Sequence, residues 1–120
     1  MNDLKLGIIE TRFADIIWDN APISSGELVK KSCETLGWKK STTYTVLKKL
    51  IDKGIFTNEQ SIVKVKLSRE DFFTMQTEQF VDEAFDGSLP AFIAAFTRKK
   101  NLSDMEIDEI RRLIEGFGKE

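Results

Sequence analysis

The segment Trp38-Lys39-Lys40-Ser41-Thr42-Thr43-Tyr44-Thr45-Val46-Leu47-Lys48-Lys49-Leu50-Ile51-Asp52-Lys53-Gly54 constrains the fold more than any other. Val46, Leu47, Leu50 and Ile51 recur at the spacing that lines one side of a 3.6-residue helix. Ser41, Thr45, Lys48 and Asp52 fall on the opposite side, with Tyr44 and Lys49 at its borders. Any fold must cover the first face and leave hydroxyls and lysines on the second. Such a face suits an ordinary solvated helix. It could also lie in a DNA major groove, where hydroxyls read base edges and lysines pair with phosphates or guanine. The flanking segments weigh between the two.

Upstream, Ser24-Ser25-Gly26-Glu27 has the serine-to-glutamate spacing of a capping box. It predicts a second helix from about Ser25 to about Thr35, with Gly37 as a left-handed C-cap before the third. A first helix is expected over Leu6–Trp18, where Ile9, Phe13, Ile16 and Ile17 share a face, stopped before Pro22. Ile23 reads as a short strand. Trp38 is expected to pack against the first helix. Downstream, Ile55-Phe56-Thr57 and Ile62–Leu67 are β-rich, around a polar turn Asn58-Glu59-Gln60-Ser61. Helix, turn, polar-faced helix and hairpin, in that order, describe a winged helix-turn-helix domain over residues 1–70.

From Ser68 the pattern is helical. Phe73, Thr77, Phe80, Val81 and Ala84 share one face of a helix ending at Asp86-Gly87. Ser88 caps the next, with Pro90 in its first turn and Phe92, Ile93 and Phe96 apolar. Ser103 and Glu106 form a second capping box, opening a helix of Ile107, Ile110, Leu113, Ile114 and Phe117 that Gly116 and Gly118 end. So short a segment, residues 71–120, cannot bury this much apolar surface alone. A dimer interface of Phe73, Phe80, Phe92, Phe96, Ile107, Ile110, Leu113 and Ile114 accounts for it; folding back on the winged domain as a monomer is the alternative. The expected class is mainly α with a small β-hairpin, a winged domain followed by a helical dimerisation arm.

Composition removes other functions. The chain has no histidine and one cysteine, Cys33, so the commonest general base and metal ligand are missing. Its seven glycines are scattered through turns and caps rather than gathered in a phosphate loop. No catalytic residue, metal or cofactor is expected. The apolar runs are too short to span a membrane, Met1-Asn2-Asp3-Leu4-Lys5 lacks a leader pattern, and a lone cysteine fits a reducing compartment; a cytoplasmic protein is expected. Residues 1–70 hold 12 basic against 9 acidic residues, and residues 71–120 hold 6 against 11. That asymmetry points a polyanion to the first part.

The order of these motifs resembles the penicillinase and methicillin-resistance repressor family, the BlaI/MecI type, over nearly the whole chain. Glu10 and Trp18 stand in an E-x7-W pattern, and Ser24-Ser25-Gly26-Glu27-Leu28 opens the second helix. Thr42-x-x-Thr45-x-Leu47-x-Lys49-Leu50 and Lys53-Gly54 match the third. Phe85-Asp86-Gly87-Ser88-Leu89 and Leu102-Ser103-Asp104-Met105-Glu106-Ile107 match the tail. The resemblance implies a dimer on a palindromic double-stranded operator, with a membrane sensor-protease that cuts the tail at a bond aligning with Ala95-Phe96. Ala95 replaces the family's asparagine, Lys49 replaces an arginine and its bidentate fork, and the wing tip carries Glu59 and no basic residue. The residues expected to face DNA are Lys39, Lys40, Ser41, Thr42, Tyr44, Thr45, Lys48 and Lys49. A winged-helix module for protein assembly alone is the competing reading.

Overall fold

Local signals set the element boundaries. A computed structural model describes residues 4–117 of the chain. In order the elements are α1 (Ile8–Asn20), β1 (Ile23–Ser24), α2 (Ser25–Leu36), α3 (Lys40–Asp52), β2 (Phe56–Glu59), β3 (Ile62–Val65), α4 (Arg69–Phe85), α5 (Leu89–Thr97) and α6 (Asp104–Gly116). Gly118, expected to help end α6, and Met1 to Asp3 lie outside the described residues. Two compact units divide between Gln79 and Phe80. The division falls inside α4, later than the 70/71 boundary read from composition.

In the first unit, α1 opens with the Gly7 N–H donating to Glu10 Oε1 at 2.9 Å. Ser24 caps α2 by accepting from the Glu27 N–H at 3.1 Å. Gly37 closes α2 at φ 70°, a conformation that costs a side-chain-bearing residue strain. The strands form a three-stranded antiparallel sheet in the order β1-β3-β2, with Ile23 opposite Val63 and Phe56 opposite Val65. The expected hairpin is therefore joined by Ile23–Ser24 as a third strand. The wing turn is also tighter than Asn58–Ser61: β2 runs through Glu59, and Gln60 and Ser61 alone make the turn, at φ 52° and 65°. Two positive φ values match the twist of a two-residue hairpin.

The core under α1, α2, α3 and the sheet is Phe13, Ile17, Leu28, Leu47, Leu50, Ile55, Phe56, Val63 and Phe72, all fully or almost fully buried. Each such side chain contributes roughly 1.5–3 kcal/mol on leaving water. Trp38 packs on Phe13 of α1 with ring centroids 5.0 Å apart, as expected. Phe72 is the α4 residue in this core, whereas its neighbour Phe73 is 41% exposed. Arg69 holds the start of α4 to α1: Nε reaches Asp15 Oδ1 at 3.1 Å and Nη2 reaches Asp19 Oδ1 at 2.7 Å. Trp18 donates its indole N–H to the Leu67 carbonyl at 3.1 Å, beneath the same guanidinium.

In the second unit, Ser88 caps α5 through the Ala91 N–H, and Ser103 and Glu106 complete both bonds of their capping box at 3.1 and 3.0 Å. Phe80, Phe85, Phe92 and Phe96 form a chain of ring contacts 5.7–6.2 Å apart. No side chain of α5 or α6 is fully buried, and Leu113 is 69% exposed. Among the described residues no helix is long and apolar enough to cross a membrane.

Candidate nucleic-acid interface

The inner face of α3 is fixed by Thr43, Leu47 and Leu50, all buried, with Val46 and Ile51 half-buried at its edges. Thr43 belongs to this face, which hydrophobic spacing alone misses; its hydroxyl is spent on the Lys39 carbonyl at 3.3 Å. The outer face follows by elimination. Lys39, Lys40, Ser41, Thr42, Tyr44, Thr45, Lys48 and Lys49 are all exposed. The helix is thus clamped along one side and open along the other.

Its start is chemically distinct. Lys39 occupies the N-cap position without a side-chain bond, and the first turn holds no acidic residue. In contrast, α1, α2, α4 and α6 each place Glu or Asp in their first turn, and α5, which has none, is capped by Ser88 instead. Free amides at a helix start carry partial positive charge and favour anions. Here Lys39 and Lys40 add to that field. From Lys30 to Lys53 the chain carries seven lysines against Glu34 and Asp52. A local excess of this kind is a phosphate-seeking surface within an acidic chain.

The lysines are not equivalent. Lys49 Nζ lies 2.6 Å from Glu10 Oε2, so its charge is committed to α1. The ion pair with Lys49, and then the bond from the Gly7 N–H, hold the Glu10 carboxyl below its ordinary pKa. Lys39, Lys40, Ser41, Thr42, Tyr44, Thr45 and Lys48 are all exposed along α3 and its N-cap, and Lys49 is exposed but paired with Glu10. Periodicity already puts Lys49 at the border of the polar face; its pairing with Glu10 of α1 is a contact between helices distant in sequence, which periodicity does not show.

The wing contributes little positive charge. Lys64 Nζ is bonded to Glu59 Oε2 at 2.9 Å, leaving Lys66 as the exposed lysine just beyond β3. The Ser25 N–H also donates to the Ser61 carbonyl at 2.9 Å, which ties the wing tip to the start of α2. The short wing is anchored rather than free to reach.

Among the described residues no group of His, Cys, Asp and Glu side chains could hold a metal ion. Cys33 is exposed on α2 and makes no disulfide. Of the residues expected at a dimer interface, Phe73, Phe80, Phe96, Ile107, Leu113 and Ile114 are exposed, while Phe92 and Ile110 are half-buried. Ala95 and Phe96 lie inside α5 with both side chains exposed.

Known proteins similar to the chain are repressors and resistance regulators by name. The chain is 24% identical over 110 residues to a penicillinase repressor of Bacillus licheniformis, covering 88% of this chain and 86% of that protein. It is 23% identical over 115 residues to the methicillin resistance regulatory protein MecI of Staphylococcus aureus (strain Mu50 / ATCC 700699), covering 92% and 93% respectively. A solved multiple antibiotic-resistance repressor (MarR) of Listeria monocytogenes 4b F2365 is a looser likeness, with a TM-score of 0.47 and 21% identity over 93% of this chain and 72% of that one. The family description penicillinase repressor matches residues 6–116. The winged helix followed by a helical tail, matched almost end to end, is a member of the penicillinase repressor family.

Proposed function

We propose that the chain is a DNA-binding transcriptional repressor that acts as a dimer on a palindromic operator, presenting α3 to the major groove. The observation that carries this reading is α3 itself: an uncapped, lysine-flanked start followed by Ser41, Thr42, Tyr44, Thr45 and Lys48 on an open face. Repressor is also what the relatives from Bacillus licheniformis and Staphylococcus are, by name or as resistance regulators. Phosphate contacts from the lysines would set position, and the hydroxyls would meet base edges. The paired Lys64 and anchored wing leave α3 as the main contact.

A second copy is the simplest cover for Leu113, Ile114 and the exposed phenylalanines of the tail. Two linked half-site contacts bind far more tightly than one, because the second becomes intramolecular. Loss of the tail beyond Ala95 would therefore release DNA. A membrane sensor-protease, which the family resemblance implies, is the partner proposed for that cut, and the bond aligning with its site lies within a helix whose Thr97 hydroxyl bonds the Ile93 carbonyl at 2.8 Å. That turn must unwind before cleavage.

The test compares the intact chain with one ending at Ala95, by light scattering and by titration of palindromic promoter DNA at several salt concentrations. Salt-sensitive binding by a dimeric intact chain, lost in a monomeric truncation, is expected. A truncated chain that stays dimeric, or an intact chain that ignores every duplex, refutes the proposal.

A further inference from the structure

The hydroxyls of the open face differ in what they can offer. Thr45 donates its proton to the Ser41 carbonyl one turn back, at 2.9 Å. Among the described residues no such bond holds the hydroxyls of Ser41, Thr42 or Tyr44. A hydroxyl has one proton to give. With that proton committed to the helix, Thr45 turns oxygen lone pairs and a methyl group outward. Ser41 and Thr42 keep both donor and acceptor capacity.

This distinction decides what Thr45 can bind. Phosphate oxygens are acceptors, as are guanine N7 and O6 and thymine O4. None of them can bond an oxygen that has no proton left. The donors in the major groove are the exocyclic amines, adenine N6 and cytosine N4. Thr45 is exposed one turn into α3, between Ser41 and Lys48 along the same face. Residues in the first turns of such a helix are the ones that reach base edges. Resting on the reading of α3 as the DNA-facing helix, we infer that Thr45 is a base-reading residue whose oxygen accepts a hydrogen bond from the amine of an adenine or cytosine. It selects an amino-bearing base over a keto-bearing one on the strand it faces. Ser41, Thr42 and the lysines hold phosphates or guanine edges.

The test begins with enrichment of a randomised duplex library by the full chain, which defines the bound sequence. Thr45→Val removes the acceptor and keeps the shape; Thr45→Ser keeps the acceptor and the bond to Ser41 but loses the methyl. Each base pair of the enriched duplex is then made with an analogue lacking the amine, purine for adenine or 2-pyrimidinone for cytosine. At one position per half-site, deleting the amine should weaken the wild-type chain about fivefold, the worth of one net hydrogen bond. The same deletion should leave Thr45→Val unaffected and weaken Thr45→Ser as it does the wild type. Equal sensitivity of Thr45→Val and wild type at every position overturns the assignment. So does a Thr45→Ser chain that behaves like Thr45→Val, which would assign the contact to the methyl group. A library that yields no enrichment with the wild-type chain overturns the repressor reading itself, and is distinguishable from both. Thermal melts of the variants establish that each is folded.

Discussion

Truncating Phe72 should remove a large part of the winged unit's stability, while truncating its neighbour Phe73 should be tolerated. Phe72 is fully buried, with its ring centroid 5.5 Å from Trp18 and 5.4 Å from Phe73. Phe→Ala in a core costs roughly 3–5 kcal/mol, the larger values where the surroundings cannot collapse. Trp18 is held in place by its bond to the Leu67 carbonyl and by Arg69 above it, so the wall of this cavity has little freedom to move. We therefore expect about 4 kcal/mol for Phe72→Ala, against a typical total near 5–15 kcal/mol for a domain. Phe73 is 41% exposed and meets Trp18 only at 6.2 Å, so Phe73→Ala should cost about 1 kcal/mol. Equilibrium urea unfolding followed by tryptophan emission is the suitable assay. The chain has two tryptophans, Trp18 and Trp38, and both precede Gln79, so the signal reports the first unit. Protein concentration must be held constant, since association adds to apparent stability. Equal losses for the two variants, or a loss below about 2 kcal/mol for Phe72→Ala, would refute the packing argument.

Other residues make sharp tests as well. Lys48→Ala should weaken binding to all DNA sequences and flatten the salt dependence by about one phosphate, whereas Lys49→Ala should change the slope less because Glu10 already holds that ammonium; equal slopes would count against the division. Ser32 is fully buried and its hydroxyl has no partner among the described residues, so Ser32→Ala should be neutral or stabilising by about 1 kcal/mol in thermal melts; a clear loss would mean that the hydroxyl is bonded. Glu10 titrates below its ordinary range, so its contribution is complete above roughly pH 4.3 and fades as pH falls through the lowered value. Because Lys49 is 56% exposed, that contribution is below about 1 kcal/mol, and the stability gap between wild type and Glu10→Gln should close between pH 7 and pH 3. A gap independent of pH would exclude the ion pair as its cause.

The sequence was most legible where a local rule had one solution. Gly37 in the left-handed region, the serine caps at Ser24, Ser88 and Ser103, and the strand–turn–strand after α3 follow from chemistry confined to a few neighbouring residues. What resisted depends on partners far away in the chain. Thr43 is left out of the apolar stripe because it is polar, and its burial is explained by its hydroxyl bonding the Lys39 carbonyl, which leaves a methyl for the core. Phe72 and Phe73 are adjacent, and choosing between them requires knowing where Trp18 stands. Lys49 has the composition of a DNA contact, but Glu10 sits 2.6 Å away. Hydrophobic spacing locates a helix face to within one residue position, and here one position separates a core ring from an exposed one.

The anchored wing has a consequence for the order in which the unit assembles. Ile23 pairs with Val63 and Ser25 bonds Ser61, so the helix-turn-helix lies inside a closed loop of about forty residues. Closing a flexible chain of that length costs about 3 kcal/mol in entropy, more than a two-residue strand can return by its own hydrogen bonds. Once α2 and α3 have formed, 25 of those residues are rigid and their ends are already drawn together. On this accounting the clasp is expected to close after the two helices have formed, since contacts of high sequence separation slow folding. Cotranslationally, a ribosome that has released only the first sixty residues would present both helices without their seal.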